Sequence, residues 1–168
     1  SSPTASPKRA VLYVADTYSH VIRMIDVSVC EVTTVAGIGF SAGTFDGSLA
    51  SARFSYPEGI VVDSTRDPLI LYVAEYGGDQ IRSVDTSIGG RVETVAGYGA
   101  GGGPAIDGVG YLSRFNNPYD LALDPRGSRS LYVADYSNSA LRRLSFTTKA
   151  PVTLSPITSN PTSFCPTG

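Results

Sequence analysis

The chain is poor in the residues that carry chemistry. His20 is the only histidine, and Cys30 and Cys165 are the only cysteines. There is no Gly-x-Ser-x-Gly elbow and no Cys/His pair at a recognisable spacing, so the usual routes to an activated nucleophile are missing. Carboxylates spaced as in an EF-hand calcium loop are absent, and no Gly-rich stretch carries the Lys-Ser/Thr of a phosphate-binding loop. No apolar run approaches the ~18 residues of a membrane-spanning helix. Basic excess is lacking too: 13 Lys and Arg face 15 Asp and Glu, a net charge of −2. That balance argues against nucleic acid or an anionic membrane as partner. Residues 1–10, Ser- and Pro-bearing, have neither the apolar nor the basic stretch of a secretory signal and read as a polar linker. No amphipathic helix is evident.

What is abundant is punctuation. Eighteen Gly and eleven Pro separate short segments rich in β-formers, the composition of an all-β chain with many turns. The organising stretch is Leu71–Asp85, in which Leu-Tyr-Val-Ala-Glu leads through a polar turn to Ile-Arg-Ser-Val-Asp. It reads as a β-hairpin. The same wording starts at Leu12 and at Leu131, so the chain repeats with a period of about 60 residues. The second and third units add an opening strand (Glu58–Asp63, Tyr119–Asp124), and the first and second a closing one (Glu31–Ala36, Arg91–Ala96). A degenerate last strand is expected within Pro151–Leu154.

Four short antiparallel strands per unit are the makings of a propeller blade. The blades fall at 11–36, 58–96 and 119–154, within a repeat region spanning 11–155. Long loops at 37–57 and 97–118 join them and share landmarks: Thr-Val-Ala-Gly, then Asp46-Gly47 or Asp107-Gly108, then Arg53-Phe54 or Arg114-Phe115, then Pro57 or Pro118. The Asp-Gly pairs read as turn signals. The first unit lacks an opening strand, so this is about three blades of an incomplete ring. Propellers close with four to eight blades, and open ends leave strand edges that recruit other chains.

Residues 156–168 change character. Pro156, Pro161 and Pro166 continue a spacing of five begun at Pro151, with Ser and Thr between. This is the composition of an extended stalk of the kind that carries O-glycosylation. The one Asn-x-Thr, at Asn160, is spoiled by its proline.

Pro-Glu-Gly-Ile-Val-Val-Asp (57–63), Leu-Tyr-Val-Ala-Glu (71–75) and Ile-Arg-Ser-Val-Asp (81–85) resemble the successive strands of an NHL repeat. The resemblance covers roughly residues 11–146 and implies a fold rather than a function, since such propellers serve as platforms, scaffolds and a few enzymes. The His-rich zinc site of NHL-like amidating lyases cannot be assembled from one histidine. NHL modules that bind RNA do so on basic surfaces, which this composition does not provide.

Three acid–arginine pairs recur in register: Asp16 with Arg23, Glu75 with Arg82, and Asp135 with Arg142. They form either a ring of ligand groups or structural ion pairs across each hairpin, the latter contributing on the order of 0.2–1 kcal/mol each. Recurrence in every unit favours architecture. Cys30, in a turn, and Cys165, in the tail, form an extracellular disulfide or stay two unrelated thiols.

The sequence is therefore expected to specify a non-enzyme with no metal or cofactor. The favoured function is an interaction module whose blades assemble with other copies or chains, as an extracellular or cell-surface scaffold or filament. The alternatives are a peptide- or glycan-binding segment of a longer propeller, or a non-catalytic part of a propeller enzyme.

Overall fold

The computed structural model describes residues 10–99, 101–126 and 130–146, with the backbone of 153–156. It is all-β apart from three 3₁₀ turns, Thr17–Ser19, Gly110–Leu112 and Tyr136–Asn138. Twelve strands form three antiparallel sheets that do not close a ring among the described residues. The first sheet contains β1 (Val11–Asp16), β2 (Val21–Asp26) and β3 (Glu31–Ala36), in that order. The second holds β4 (Gly47–Ser48), β5 (Pro57–Asp63), β6 (Ile70–Glu75), β7 (Gln80–Asp85) and β8 (Arg91–Ala96), ordered β4-β8-β7-β6-β5. The third holds β9 (Pro118–Leu123), β10 (Ser130–Asp135), β11 (Ala140–Ser145) and β12 (Thr153–Pro156), ordered β12-β11-β10-β9.

The hairpins form because β-branched and aromatic residues alternate up to a four-residue turn whose last member adopts φ > 0. His20, Asp79 and Ser139 occupy that left-handed position at φ 59°, 53° and 50°. β6 and β7 pair from Ile70↔Asp85 to Glu75↔Gln80, and the other two hairpins share this register. Where β7 meets β8 the ladder jumps from Ile81↔Ala96 to Arg82↔Thr94, and β2 and β3 do the same at Ile22 and Arg23. Such a bulge bends the strand and re-aims its side chains.

Period-two alternation gives the middle blade two buried faces. Leu71, Val73, Val84 and Val92 point one way, packing with Ile22, Ala36 and the loop residue Phe54. Tyr72, Ala74, Ile81 and Ala96 point the other way, onto Phe115, Leu131, Val133 and Leu144. Each core is thus an interface between blades, sealed by a phenylalanine from the loop joining them. A fully buried side chain of this kind contributes roughly 1.5–3 kcal/mol.

Several boundaries differ from those the sequence suggests. Opening strands begin at Pro57 and Pro118, one residue early, because the first strand position needs no ladder donor. The weak closing strand lies at Thr153–Pro156 and carries pairing into what composition assigns to the tail. The first interblade loop supplies β4, which pairs with β8 as a fifth strand on the next blade. The rest of the expected tail and linker lies outside the described residues, as does Cys165.

Candidate functional site

The recurring arginines are the centres of the molecule's polar structure. In the middle blade Arg82 stands opposite Val73, so its acid, Glu75, reaches it diagonally along the same face. Arg82 Nη1 donates to Glu75 Oε1 at 2.6 Å and to Arg53 O at 3.2 Å, while Nη2 donates to Asp46 Oδ1 at 2.8 Å. The guanidinium carbon lies 5.4 Å from the centre of the Phe54 ring. The third blade repeats this. Arg142 Nη1 donates to Asp135 Oδ2 at 3.0 Å and to Arg114 O, Nη2 donates to Asp107 Oδ1 and Ile106 O at 2.7 Å each, and Phe115 lies 4.7 Å away.

These two pairs are set deeper than cross-strand pairs expected to contribute about 0.2–1 kcal/mol each. Arg82, Glu75, Arg142 and Asp135 are all buried. The reason is the interblade loop, which folds back over the hairpin and brings a second carboxylate. Burial also pushes the Glu75 carboxyl up to about 8, against the pull of the adjacent Arg82 guanidinium. Its Oε2 and the Arg82 Nε have no hydrogen-bond partner among the described residues. Asp46 and Asp107 were legible as a pattern but not as ligands. Each precedes its Arg-Phe by the same interval, an identity that a turn alone does not demand.

The first blade has the same hairpin, with no such loop over it among the described residues. Arg23 Nε donates to Asp16 Oδ2 at 3.2 Å and Nη1 to Thr34 Oγ1 at 2.6 Å. Both members of the pair are about one-third exposed. Around it Leu12, Val14 and Val32 are 56%, 37% and 58% exposed, whereas their counterparts Leu71, Val73 and Val92 are buried. At the far end, Leu141 is 51% exposed while its counterparts Ile22 and Ile81 are buried.

A second set of contacts ties the left-handed turn residue to the next blade. His20 Nδ1 accepts from Tyr56 N at 3.2 Å, and Asp79 Oδ1 accepts from Asn117 N at 2.7 Å. Asp79 Oδ2 also accepts from Gly101 N and Gly102 N at 3.2 and 3.0 Å, which organises the Gly-rich loop. His20 is therefore buried and bonded. Among the described residues no group of three or more His, Cys, Asp or Glu is arranged to hold a metal. Cys30 is exposed in the β2–β3 turn at φ 56°.

On the face where the turns and loops meet, tyrosines line a groove of about 480 Å³ with Glu58 and Thr17 at one side. Tyr18 and Tyr56 meet edge to face at 6.1 Å, Tyr76 and Tyr119 at 6.3 Å, and Tyr119 and Tyr136 lie 5.9 Å apart. Sequence reading missed this groove. Its members come from hairpin turns and from residues beside the two prolines, so only the blade-to-blade assembly brings them together.

No family model matches the chain. Among curated proteins it is 32% identical over 145 residues to NHL repeat-containing protein 2 of Gallus gallus, a match covering 82% of this chain and 19% of that protein. The chain belongs to the NHL-repeat propeller family. The Bos taurus protein of the same description is 34% identical over 82 residues, 49% of this NHL chain and 11% of the relative. A solved protein of unknown function from Bacteroides thetaiotaomicron superposes with a TM-score of 0.69 at 25% identity, over 85% of the NHL chain and 32% of its own. An auxiliary nutrient binding protein from Bacteroides ovatus gives 0.64 at 22% identity, over 86% and 34%; that likeness is one of fold. The NHL chain thus spans less than a fifth of the curated relatives and about a third of the solved ones.

Proposed function

We propose that this NHL segment is a non-catalytic interaction module that joins further propeller blades, of other copies or other chains, through its two uncovered blade faces. The observation that carries the reading is the contrast between equivalent positions. Leu12, Val14 and Val32 at one end and Leu141 at the other are open, while the same positions inside the array are sealed. Apolar positions that every internal blade buries are complementary to another blade by construction. End-to-end contacts of this kind are heterologous and give rings or filaments according to the angle. A scaffold or filament outside the cell, with a glycosylated Ser/Thr/Pro-rich tail, is the fullest form of this proposal. Light scattering across a micromolar concentration series tests the assembly: mass should rise with concentration, and a monodisperse monomer throughout would sink it. Intact mass of the native protein tests glycosylation and, with and without reductant, the state of Cys30 and Cys165.

A second reading is favoured by the tyrosine groove. Aromatic rings presented face and edge along a channel suit a Pro-rich peptide or a sugar ring. In this reading the chain is the binding segment of a longer propeller. Quenching of tyrosine fluorescence by peptide and glycan arrays, abolished by Tyr119→Ala, separates it from the first.

A further inference from the structure

We infer that the tyrosine groove is a docking site for an arginine carried on an extended segment of a partner polypeptide, its guanidinium held between the Glu58 carboxylate and the tyrosine rings. This rests on the binding reading above and names the chemistry of its ligand. The residues that carry it are Tyr56, Glu58, Tyr76, Gly77 and Tyr119, which lie where the middle blade meets its two described neighbours. Tyr56 N donates to His20 Nδ1, and Glu58 accepts from Thr17 Oγ1, both partners being in the first blade. Tyr76 meets Tyr119 of the third blade edge to face.

The repeat does not demand these residues. With Pro57 and Pro118 in register, Asn117 stands where Tyr56 stands and Tyr119 where Glu58 stands. Gly77 corresponds to Tyr18 and Ser137, and Tyr76 to Thr17 and Tyr136. The backbone is nonetheless shared, for Tyr56 and Asn117 have φ 49° and 53°. Asparagine enters that left-handed region readily, whereas a bulky tyrosine is an outlier there. Strain of this kind persists only where the surroundings over-determine it, and it clusters at ligand clamps. His20 helps to hold the Tyr56 ring, packing edge-on at 4.7 Å. Gly77 leaves room for it, since a Cβ there would fall 2.7 Å from a ring carbon. Tyr56 is still 41% exposed and Tyr119 50%, so fixed aromatic surfaces are offered to solvent.

Charge selects the occupant. Glu58 is the only charged residue lining the groove. Among the described residues its carboxylate has no cation, only the 3.4 Å bond from Thr17. Arg23, the cation of the adjoining hairpin, is engaged by Asp16 and Thr34. A carboxylate beside tyrosine faces repels anions and favours a cation. A guanidinium satisfies both surfaces at once, being flat enough to stack on a ring and a forked donor to a carboxylate. The molecule uses this chemistry on itself: Arg82 lies over Phe54 while bonded to Glu75, and Arg142 over Phe115 while bonded to Asp135. At about 480 Å³ the groove is larger than one side chain, so the arginine arrives with neighbours. Aromatic-lined channels take extended, Pro-bearing backbone.

A blocked peptide Pro-Pro-Arg-Pro-Pro, its citrulline counterpart and maltohexaose are titrated into the intact 168-residue chain, followed by the tyrosine ring resonances in NMR. Saturable shifts at Tyr56, Tyr76 and Tyr119 are expected for the arginine peptide. Its affinity should be at least about tenfold higher than that of the citrulline peptide, and should fall by a similar factor in Glu58→Gln. It should not change in Glu93→Gln, which removes an exposed acid elsewhere. Citrulline keeps the shape and loses the charge with the protein untouched, so misfolding of a variant does not decide the result. Equal binding of the citrulline peptide, or binding indifferent to Glu58→Gln, overturns the inference and leaves a groove for neutral peptide. An equal loss in Glu93→Gln marks net charge alone and also overturns it. Saturation by maltohexaose with no shift from the arginine peptide removes the arginine and keeps the binding reading, whereas no saturable shift from any probe removes both.

Discussion

Arg82 and Arg23 hold the same place in two copies of one hairpin and differ in what lies over them. That difference sets the cost of losing each. Arg82→Ala takes one shared donor from Glu75, Asp46 and the Arg53 carbonyl, and each acceptor left buried without it costs about 1–3 kcal/mol. Arg23→Ala removes a partly exposed pair and should cost about 0–1 kcal/mol. Urea denaturation of the two variants measures the contrast, and equal losses would show that the loop does not seal the Arg82 node. Glu75 adds a pH dependence. Its native value of about 8 lies above the ordinary 4.5, so the native state binds the proton more tightly than the unfolded one. The resulting stabilisation is full below about pH 4.5 and is lost as pH rises through 8. Glu75→Gln should remove this component, read as a urea midpoint that falls less between those limits than in the parent.

At the scale of the element, strands and loops were not equally legible. Leu-Tyr-Val-Ala-Glu and Ile-Arg-Ser-Val-Asp carry their structure in alternation, which is local, and the hairpins sit where that pattern puts them. The loops carry theirs in contacts with the following blade. Asp46 meets Arg82 and Asp107 meets Arg142 across more than thirty positions, and nothing near either aspartate announces it. Asp79 looks like one turn residue among several until three backbone donors are found on its carboxylate. The glycines that close the β3 and β8 ladders are constrained in the same non-local way. Gly97 has φ +103°, and an added Cβ would collide with the Asp79 carbonyl oxygen. Gly97→Ala should cost about 1–3 kcal/mol through strain. Gly39→Ala, with open space around it, should stay within about 0.5 kcal/mol. Thermal melts of the pair test whether the junction, rather than glycine content, holds the loop.

At the scale of the molecule, stability is a sum over blades and the interfaces between them. Among the described residues the middle blade has two such interfaces and each outer blade has one. Hydrogen exchange should therefore be slowest in β6 and β7 and faster in β1 and β2, whose outward face is open. Leu141→Lys places a charge on the far face without disturbing the inner cores. It should leave the melting temperature nearly unchanged and weaken any self-association by about tenfold, equivalent to about 1.4 kcal/mol. Unchanged association would move the contact away from that face.

The loop that crosses from one blade to the next means that a gene segment and a mechanical part do not coincide. A fragment starting at Pro57 encodes four complete strands of the middle sheet. It nonetheless lacks the fifth strand at Gly47–Ser48, the second carboxylate on Arg82 and the ring over its guanidinium. A fragment starting at Gly37 carries all three. A duplication or deletion that breaks after Ala36 and Ala96 would move a blade with its own fastening, while one that breaks at the prolines would leave each blade fastened by its neighbour's sequence. Viable insertions and losses of blades in such arrays should therefore cluster at the Val-Ala-Gly junctions.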